Sequence, residues 1–184
     1  MSAHPVSSKD PGAAPLRTAR LVGHRCQDRD GPAIDAVFAD PEIRYWALPR
    51  APGKAAVWTA QSGAATAQRM AAHWAAHGWG PRVWHDAGGV VGLAGLQFAI
   101  LNGEGAVEIA FAIRRDAQGQ GYAREALAAI LAEAPRITHR LRASVWRGNG
   151  AALHLLHGFG FHAAPIGPPA AQMPGLLVLE RRLA

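Results

Sequence analysis

RRDAQGQGYAREAL occupies positions 114–127. An apolar alternation, AVEIAFAI (106–113), precedes it, and its own end is a helix-forming run. Strand-like residues, then polar residues with two glycines, then helix formers describe a strand–turn–helix junction. Such a junction is either a plain connector or a cradle for phosphate. The first turn of a helix leaves backbone N–H groups unpaired, and its dipole favours an anion there. Gly119 and Gly121 let a ligand approach the backbone closely. Arg114, Arg115 and Arg124 are placed to add charge-assisted contacts to outlying phosphates. Neither GxxxxGK(S/T) nor GxGxxG is present, so this is neither a Walker-type loop nor a dinucleotide fingerprint.

The remaining elements follow outward from the junction. Upstream, 82–85 and 90–98 are apolar stretches with the turn Gly88-Gly89 between them, a hairpin. Asn102-Gly103 marks a second turn into 106–113, so three antiparallel strands follow one another. Residues 121–134 form a helix that stops before Pro135. Downstream come a strand at 141–146, a short helix at 149–157, and strands at 159–162 and 176–182 across a Pro- and Gly-rich loop. At the start, 16–25 reads as one strand. Asp28 or Asp30 is placed to cap a helix through Phe38, with Pro32 in its first turn. PRAPGKAAVWTAQSG (49–63) is loop-like, and the alanine-rich run 64–77 is a helix stopped by Gly78. The order β-α-α-β-β-β-α-β-α-β-β, with no internal repeat, predicts an α+β fold. Its central sheet is mixed and mostly antiparallel, flanked by helices.

With 184 residues, 49% of them hydrophobic, the chain can bury one core, and 16–184 reads as a single domain. Residues 1–15 have no apolar signal core and read as a disordered leader. No apolar run is long enough to cross a bilayer. Cys26 is the sole cysteine, which suits a reducing cytoplasm. The net charge of +6 and pI near 10.7 are compatible with an anionic partner. The arginines are scattered, however, and biased base composition accounts for them at least as well.

QGQGYA (118–123) resembles the Q/R-x-x-G-x-G/A signature of the GCN5-related N-acetyltransferases, the GNAT superfamily. NGAALHLLHGFGF (149–161) resembles that family's second motif, N-x-x-(A/S)…GF. LRTARLVGHR (16–25) is similar to the T-x-R-L-x-L-R opening of its RimJ/RimL-like branch, which includes N-terminal acetyltransferases of ribosomal proteins. The resemblance spans roughly 16–180, with the three motifs in family order. It implies the GNAT-like acyltransferase fold and acetyl-CoA as cosubstrate. It also implies that Gln118, Gly119, Gln120, Gly121, Tyr122, Ala123 and Arg124 hold the pyrophosphate. The strand end at Phe111, Ala112 and Ile113 would pair with the pantetheine arm, and a backbone N–H there would polarise the thioester carbonyl. Asn149 would hydrogen-bond the pantetheine. The splay between the strands ending at Ile113 and Trp146 would seat the cofactor. No metal is implied.

The chemistry is attack of a neutral amine on the acetyl carbonyl. Amines are mostly protonated at pH 7, so a base must take a proton directly or through water. Glu108 stands where the branch often has E-L-G-Y and is the candidate catalytic base. Strand N–H groups would stabilise the oxyanion. The sequence departs from the family at the proton donor. Many members carry tyrosine at the position of Leu156, and the RimL-like branch often has serine at that of Ala152. His154 and His157 lie off the face shared by Asn149, Ala152, Leu153 and Leu156.

Plainer readings stand beside these. The junction can be an ordinary turn, Glu108 a solvent-facing strand residue, and Asn149 only a helix N-cap. His73 and His77 are i, i+4, but no third metal ligand is near in sequence. Trp74, Trp79 and Trp84 form either an aromatic substrate wall or core. The expected activity is acetyl transfer to a primary amine, on a small molecule or a protein N-terminus, by direct attack in a ternary complex. The region 45–79 would form one wall of the acceptor site. The missing hydroxyls keep a non-catalytic acyl-CoA-binding module as the alternative. A nucleic-acid-binding domain rests on the pI alone and is not expected. The branch often dimerises, so a homodimer is expected by that analogy only.

Overall fold

The computed structural model describes residues 14–47, 62–101, 104–164 and 175–184. These residues form one eight-stranded sheet and five α-helices. In sheet order the strands are β1 (Leu16–Arg17), β2 (Val22–Arg25), β3 (Pro81–Asp86), β4 (Gly89–Leu101), β5 (Glu104–Ile113), β6 (Arg140–Trp146), β8 (Leu176–Arg182) and β7 (His162–Ala163). All neighbours are antiparallel except β5 and β6. The helices are α1 (Gly31–Val37), α2 (Pro41–Ala47), α3 (Ser62–His77), α4 (Tyr122–Glu133) and α5 (Gly150–Gly158).

Strand alternation sends successive side chains to opposite faces. Ile109 and Ile113 of β5, with Leu141, Ala143 and Val145 of β6, pack in one cluster with Leu127 and Ile130 of α4 and Leu156 of α5. Ala112 of β5 faces the other way, in a cluster with Ile34 and Val37 of α1 and Ala67 of α3. In α4 the buried residues Tyr122, Ala126, Leu127, Ile130 and Leu131 recur at helical spacing. Burying Leu127 and Ile130 is worth about 1.5–3 kcal/mol each. That stripe fixes how α4 lies on the sheet and so where its N-terminus sits.

The α+β fold and its mostly antiparallel sheet match the sequence expectation, with local differences. The strand expected over 16–25 is two short strands. Thr18 N–H donates to the Leu21 carbonyl at 2.9 Å, and Leu21 N–H donates to Thr18 Oγ1 at 2.9 Å. This side-chain-supported turn interrupts an alternation too loose to reveal it. Helix α2 was not expected. Its signal is Asp40-Pro41, with Asp40 Oδ1 accepting from Glu42 N–H at 2.7 Å. Asp30 does not cap α1 with its side chain; its carboxylate accepts from Gln27 N–H at 2.7 Å instead. Of the strand expected at 159–162 only His162 is extended, because Phe159 and Gly160 close α5. The leader at 1–15 (apart from Ala14 and Pro15), the Asn102-Gly103 turn, most of the loop at 49–63 and most of the loop before 176 lie outside the described residues.

Candidate active site

β5 and β6 are joined at two rungs only, Val107↔Leu141 and Glu108↔Arg142. Beyond them the strands part, while β5 remains paired to β4 as far as Gly92↔Ile113. Arg114 N–H donates to the Val91 carbonyl of β4 at 2.8 Å. Alternation therefore directs the Ala112 N–H to β4 and the Ile109, Phe111 and Ile113 N–H groups into the fork. Gln118 Nε2 donates to the Ile113 carbonyl at 3.0 Å, tying the following loop to the strand end.

Glu108 sits at the apex of the fork, 9% exposed. Its Oε1 accepts from Ser144 N–H of β6 at 3.1 Å, and its Oε2 accepts from Gln97 Nε2 of β4 at 2.8 Å. In a continuous parallel ladder the Ser144 N–H would bond a β5 carbonyl at the next rung. The Glu108 carboxylate takes that N–H instead. The residue expected as base thus also ends the β5–β6 pairing. A carboxylate has about four lone-pair sites, so two remain to accept a substrate or water proton.

At the other end of the fork, a 3-10 turn (Arg115–Ala117) leads to Gly119 (φ 75°) and Gly121 (φ 80°). Only glycine takes this left-handed conformation routinely. Gly121 is the N-cap of α4, and among the described residues no side chain caps this helix start. Gln118, Gly119, Gln120, Gly121 and Arg124 are exposed, Ala123 is half-buried and Tyr122 is buried. An exposed, uncapped helix start entered through two left-handed glycines fits a pyrophosphate.

Two other segments brace this loop. Arg20 Nε and Nη2 both lie 2.7 Å from Glu125 Oε2, and its Nη1 donates to the Gln120 carbonyl at 2.9 Å. The Arg20 guanidinium lies over the Tyr122 ring, 4.7 Å from its centroid. Burial pushes the Glu125 carboxyl up, but bonds from Thr18 and Arg20 outweigh it and hold the group below its usual range. Tyr122 hydroxyl donates to Asp86 Oδ2 of the β3–β4 hairpin at 2.9 Å. That bond, with one from Gly88 N–H, keeps Asp86 below the ordinary carboxyl range and raises the tyrosine. Arg20 was absent from the expected site, although it stands in the opening motif. A Cβ on Gly121 would lie 3.5 Å from its Nη2. Arg114 and Arg115, expected near outlying phosphates, are paired with Asp116 (2.6 Å) and Glu42 (2.7 Å). The Arg124 guanidinium lies 5.8 Å from the centroid of the Phe159 ring, toward the end of α5.

Asn149 caps α5, its Oδ1 accepting from Ala152 N–H at 3.1 Å. Ala152 and Leu156 are buried in the cluster under α4 and α5. His154 and His157 are exposed, and His157 Nδ1 meets the Phe161 carbonyl at 2.9 Å. Trp84 and Trp74 follow the core reading: Trp84 is wholly buried and donates to the Ala94 carbonyl, and buried Trp74 donates to the Pro81 carbonyl, whereas Trp79 is half-buried against His73 and His77. Trp46 of α2 approaches the β6–α5 turn, 2.9 Å from where a Gly148 Cβ would lie. Of the expected acceptor wall at 45–79, residues 48–61 lie outside the described residues. His73 bonds the Trp79 carbonyl through Nδ1 and accepts from Phe98 N–H through Nε2, each at 3.0 Å. Both ring nitrogens are engaged, and among the described residues no group of three or more metal-ligating side chains occurs. Cys26 is buried among α1 and α3 residues, and burial pushes its thiol up to about 12.

The family profile of the acetyltransferase (GNAT) domain matches residues 20–162. Among solved structures, a GNAT-family acetyltransferase from Bordetella pertussis is 25% identical, with a TM-score of 0.72, covering 91% of this chain and 99% of its own. The yncA protein of Salmonella typhimurium, solved with its cofactor acetyl-CoA, is 20% identical with a TM-score of 0.64, over 90% and 95% of the two chains. An acetyltransferase from the same organism that modifies the N-terminal serine of ribosomal protein L7/L12 is 13% identical with a TM-score of 0.66, over 93% and 100%. No curated protein matches the chain.

Proposed function

The chain belongs to the GNAT acetyltransferase family, and from that premise we propose that it moves an acetyl group from acetyl-CoA to a primary amine. The observation that carries this reading is the fork: two rungs, a buried carboxylate at the apex, and a left-handed glycine loop at the mouth. Acetyl-CoA supplies the activated acyl group. The open N–H groups of Phe111 and Ile113 pair with its pantetheine arm. Residues 118–124 receive its pyrophosphate on the start of α4, and Arg20 joins them from β1–β2. Glu108 accepts the amine proton, directly or through one water, while Gln97 and Ser144 N–H hold the carboxylate in place. Asn149 faces the arm while capping α5. The amine attacks the thioester directly, because a thiol as buried as Cys26, with its pKa raised to about 12, is almost never a thiolate at neutral pH. The acceptor is a small amine or a protein N-terminus; the resemblance to the ribosomal-protein acetyltransferase favours the latter. Action in the cytoplasm suits the lone thiol.

A second reading, an acyl-CoA-binding module without turnover, is favoured by Ala152 and Leu156, which are buried in the core and carry no hydroxyl for the leaving thiolate. One experiment separates these. Calorimetry with acetyl-CoA is run on the wild type and on Gly121→Glu, which puts a Cβ and an anion into the cradle, and an amine panel follows. Binding lost in the variant, with turnover in the wild type, supports the enzyme. Binding without turnover leaves the module, and no binding by the wild type ends both.

A further inference from the structure

Ser144 Oγ is buried and, among the described residues, has no hydrogen-bond partner. An unsatisfied buried hydroxyl is destabilising and rare enough in folded proteins to need an explanation. Its place supplies one. Ser144 lies two residues past the last β5–β6 rung, and its own N–H holds Glu108 Oε1 at 3.1 Å. Along β6, Leu141, Ala143 and Val145 belong to the cluster under α4 and α5. Ser144 therefore projects to the opposite face. In β5, Ile109 and Ile113 belong to that same cluster while Ala112 packs with α1 and α3, so Glu108 projects to the same face as Ser144. One carboxylate with spare lone pairs and one orphan hydroxyl thus stand on the same face of the sheet at the head of the fork.

A primary amine attacking a carbonyl carries one lone pair and two N–H bonds. The lone pair must aim at the acetyl carbon. One N–H loses its proton as the C–N bond forms and the C–S bond breaks; the other stays on the amide product. We propose that Ser144 Oγ accepts this second N–H, while Glu108 receives the proton that leaves, so that the pair fixes the direction of the lone pair. This inference rests on the acetyl-transfer reading and deepens it. The site selects primary over secondary amines, because a secondary amine has no second N–H and would press an alkyl group against a buried hydroxyl.

The test uses the full chain and the best acceptor from a panel of alanine-, serine- and methionine-initiated peptides, spermidine and phenethylamine. That acceptor is compared with its N-methyl derivative. The wild type is expected to prefer the primary amine by about 10- to 100-fold in kcat/KM, the scale of one hydrogen bond to a group gaining charge. Ser144→Ala is expected to keep acetyl-CoA affinity, keep or raise Tm by removing the orphan, and erase most of that preference. An unchanged preference, or an equal loss on both amines, overturns the inference and leaves acetyl transfer standing. A wild type that binds acetyl-CoA but turns over no amine overturns both.

Discussion

Strand β5 has two unlike edges. Toward β4 it makes ten consecutive rungs, from Leu101↔Glu104 to Gly92↔Ile113. Toward β6 it makes two. The backbone chemistry is the same on both sides, so the difference comes from side chains. On the closed edge, Gly92 of β4 leaves room for the Ala112 carbonyl of β5 to approach. On the open edge, the Glu108 carboxylate takes the Ser144 N–H that the next rung would use. Ten rungs on one side let the other stay open without loss of the strand. An open cleft between β5 and β6 is therefore built from a ladder stopped early.

The contrast is broken most severely at Glu108. Glu108→Gln keeps the shape but removes the proposed proton acceptor, and it turns one of the contacts with Gln97 Nε2 or Ser144 N–H into donor against donor. Loss of a general base costs about 10²–10⁴ in rate, whereas one mispaired contact costs about 1–3 kcal/mol of stability. Steady-state kinetics at saturating acetyl-CoA, with calorimetry beside them, separate the two roles. A fall in kcat with affinity retained marks the base. A fall in affinity with kcat retained would mean that Glu108 only opens the fork.

The closed edge is tested at Gly92. A Cβ there would stand 2.4 Å from the Ala112 carbonyl oxygen, an atom of the ladder itself. Gly92→Val is expected to cost about 3 kcal/mol, the upper range of overpacking, read as a lower midpoint in urea. Ser144→Ala, across the same strand, should show no such cost. Similar losses at both positions would mean that the two edges do not differ in the way their rung counts suggest.

How much of this was legible beforehand follows from the same physics. Local signals carried the junction: an apolar alternation, two glycines and an amphipathic run put a strand, a left-handed loop and a helix start where they are. The place of Glu108 on a strand was legible from the alternation, but its bonds were not, because Gln97 and Ser144 meet it only once three strands are side by side. Arg20 was missed for the same reason, lying about a hundred positions from Gln120 and Glu125. Residues 18–21 hid a turn because one of its closing hydrogen bonds runs through a threonine hydroxyl, which no periodicity reports. Helix α2 was a different failure: Asp40-Pro41 announced it, but seven residues are too few for a hydrophobic period to assert itself.

The smallest expected effect concerns β4's other edge, where β3 pairing runs out at Pro81↔Gly95 but β4 continues. There a side chain replaces the ladder: His73 Nε2 accepts from Phe98 N–H, which requires a neutral ring with its proton on Nδ1 toward the Trp79 carbonyl. Burial, opposed by the Trp79 bond and aided by His77, holds the His73 pKa below its usual value. Between that lowered pKa and the ordinary value of about 6.5, the unfolded chain binds the extra proton. Stability is therefore complete above about 6.5 and declines as pH falls through the window below it. His85, also lowered by burial and by His24, adds a slope of the same sign. Thermal melts of wild type and His73→Gln between about pH 8 and 5 isolate the His73 share. The wild-type curve should fall more steeply on acidification, because glutamine offers Phe98 N–H an acceptor that does not titrate. Parallel curves would show that the unpaired length of β4 does not depend on His73, and that the histidine only packs against His77 and Trp79.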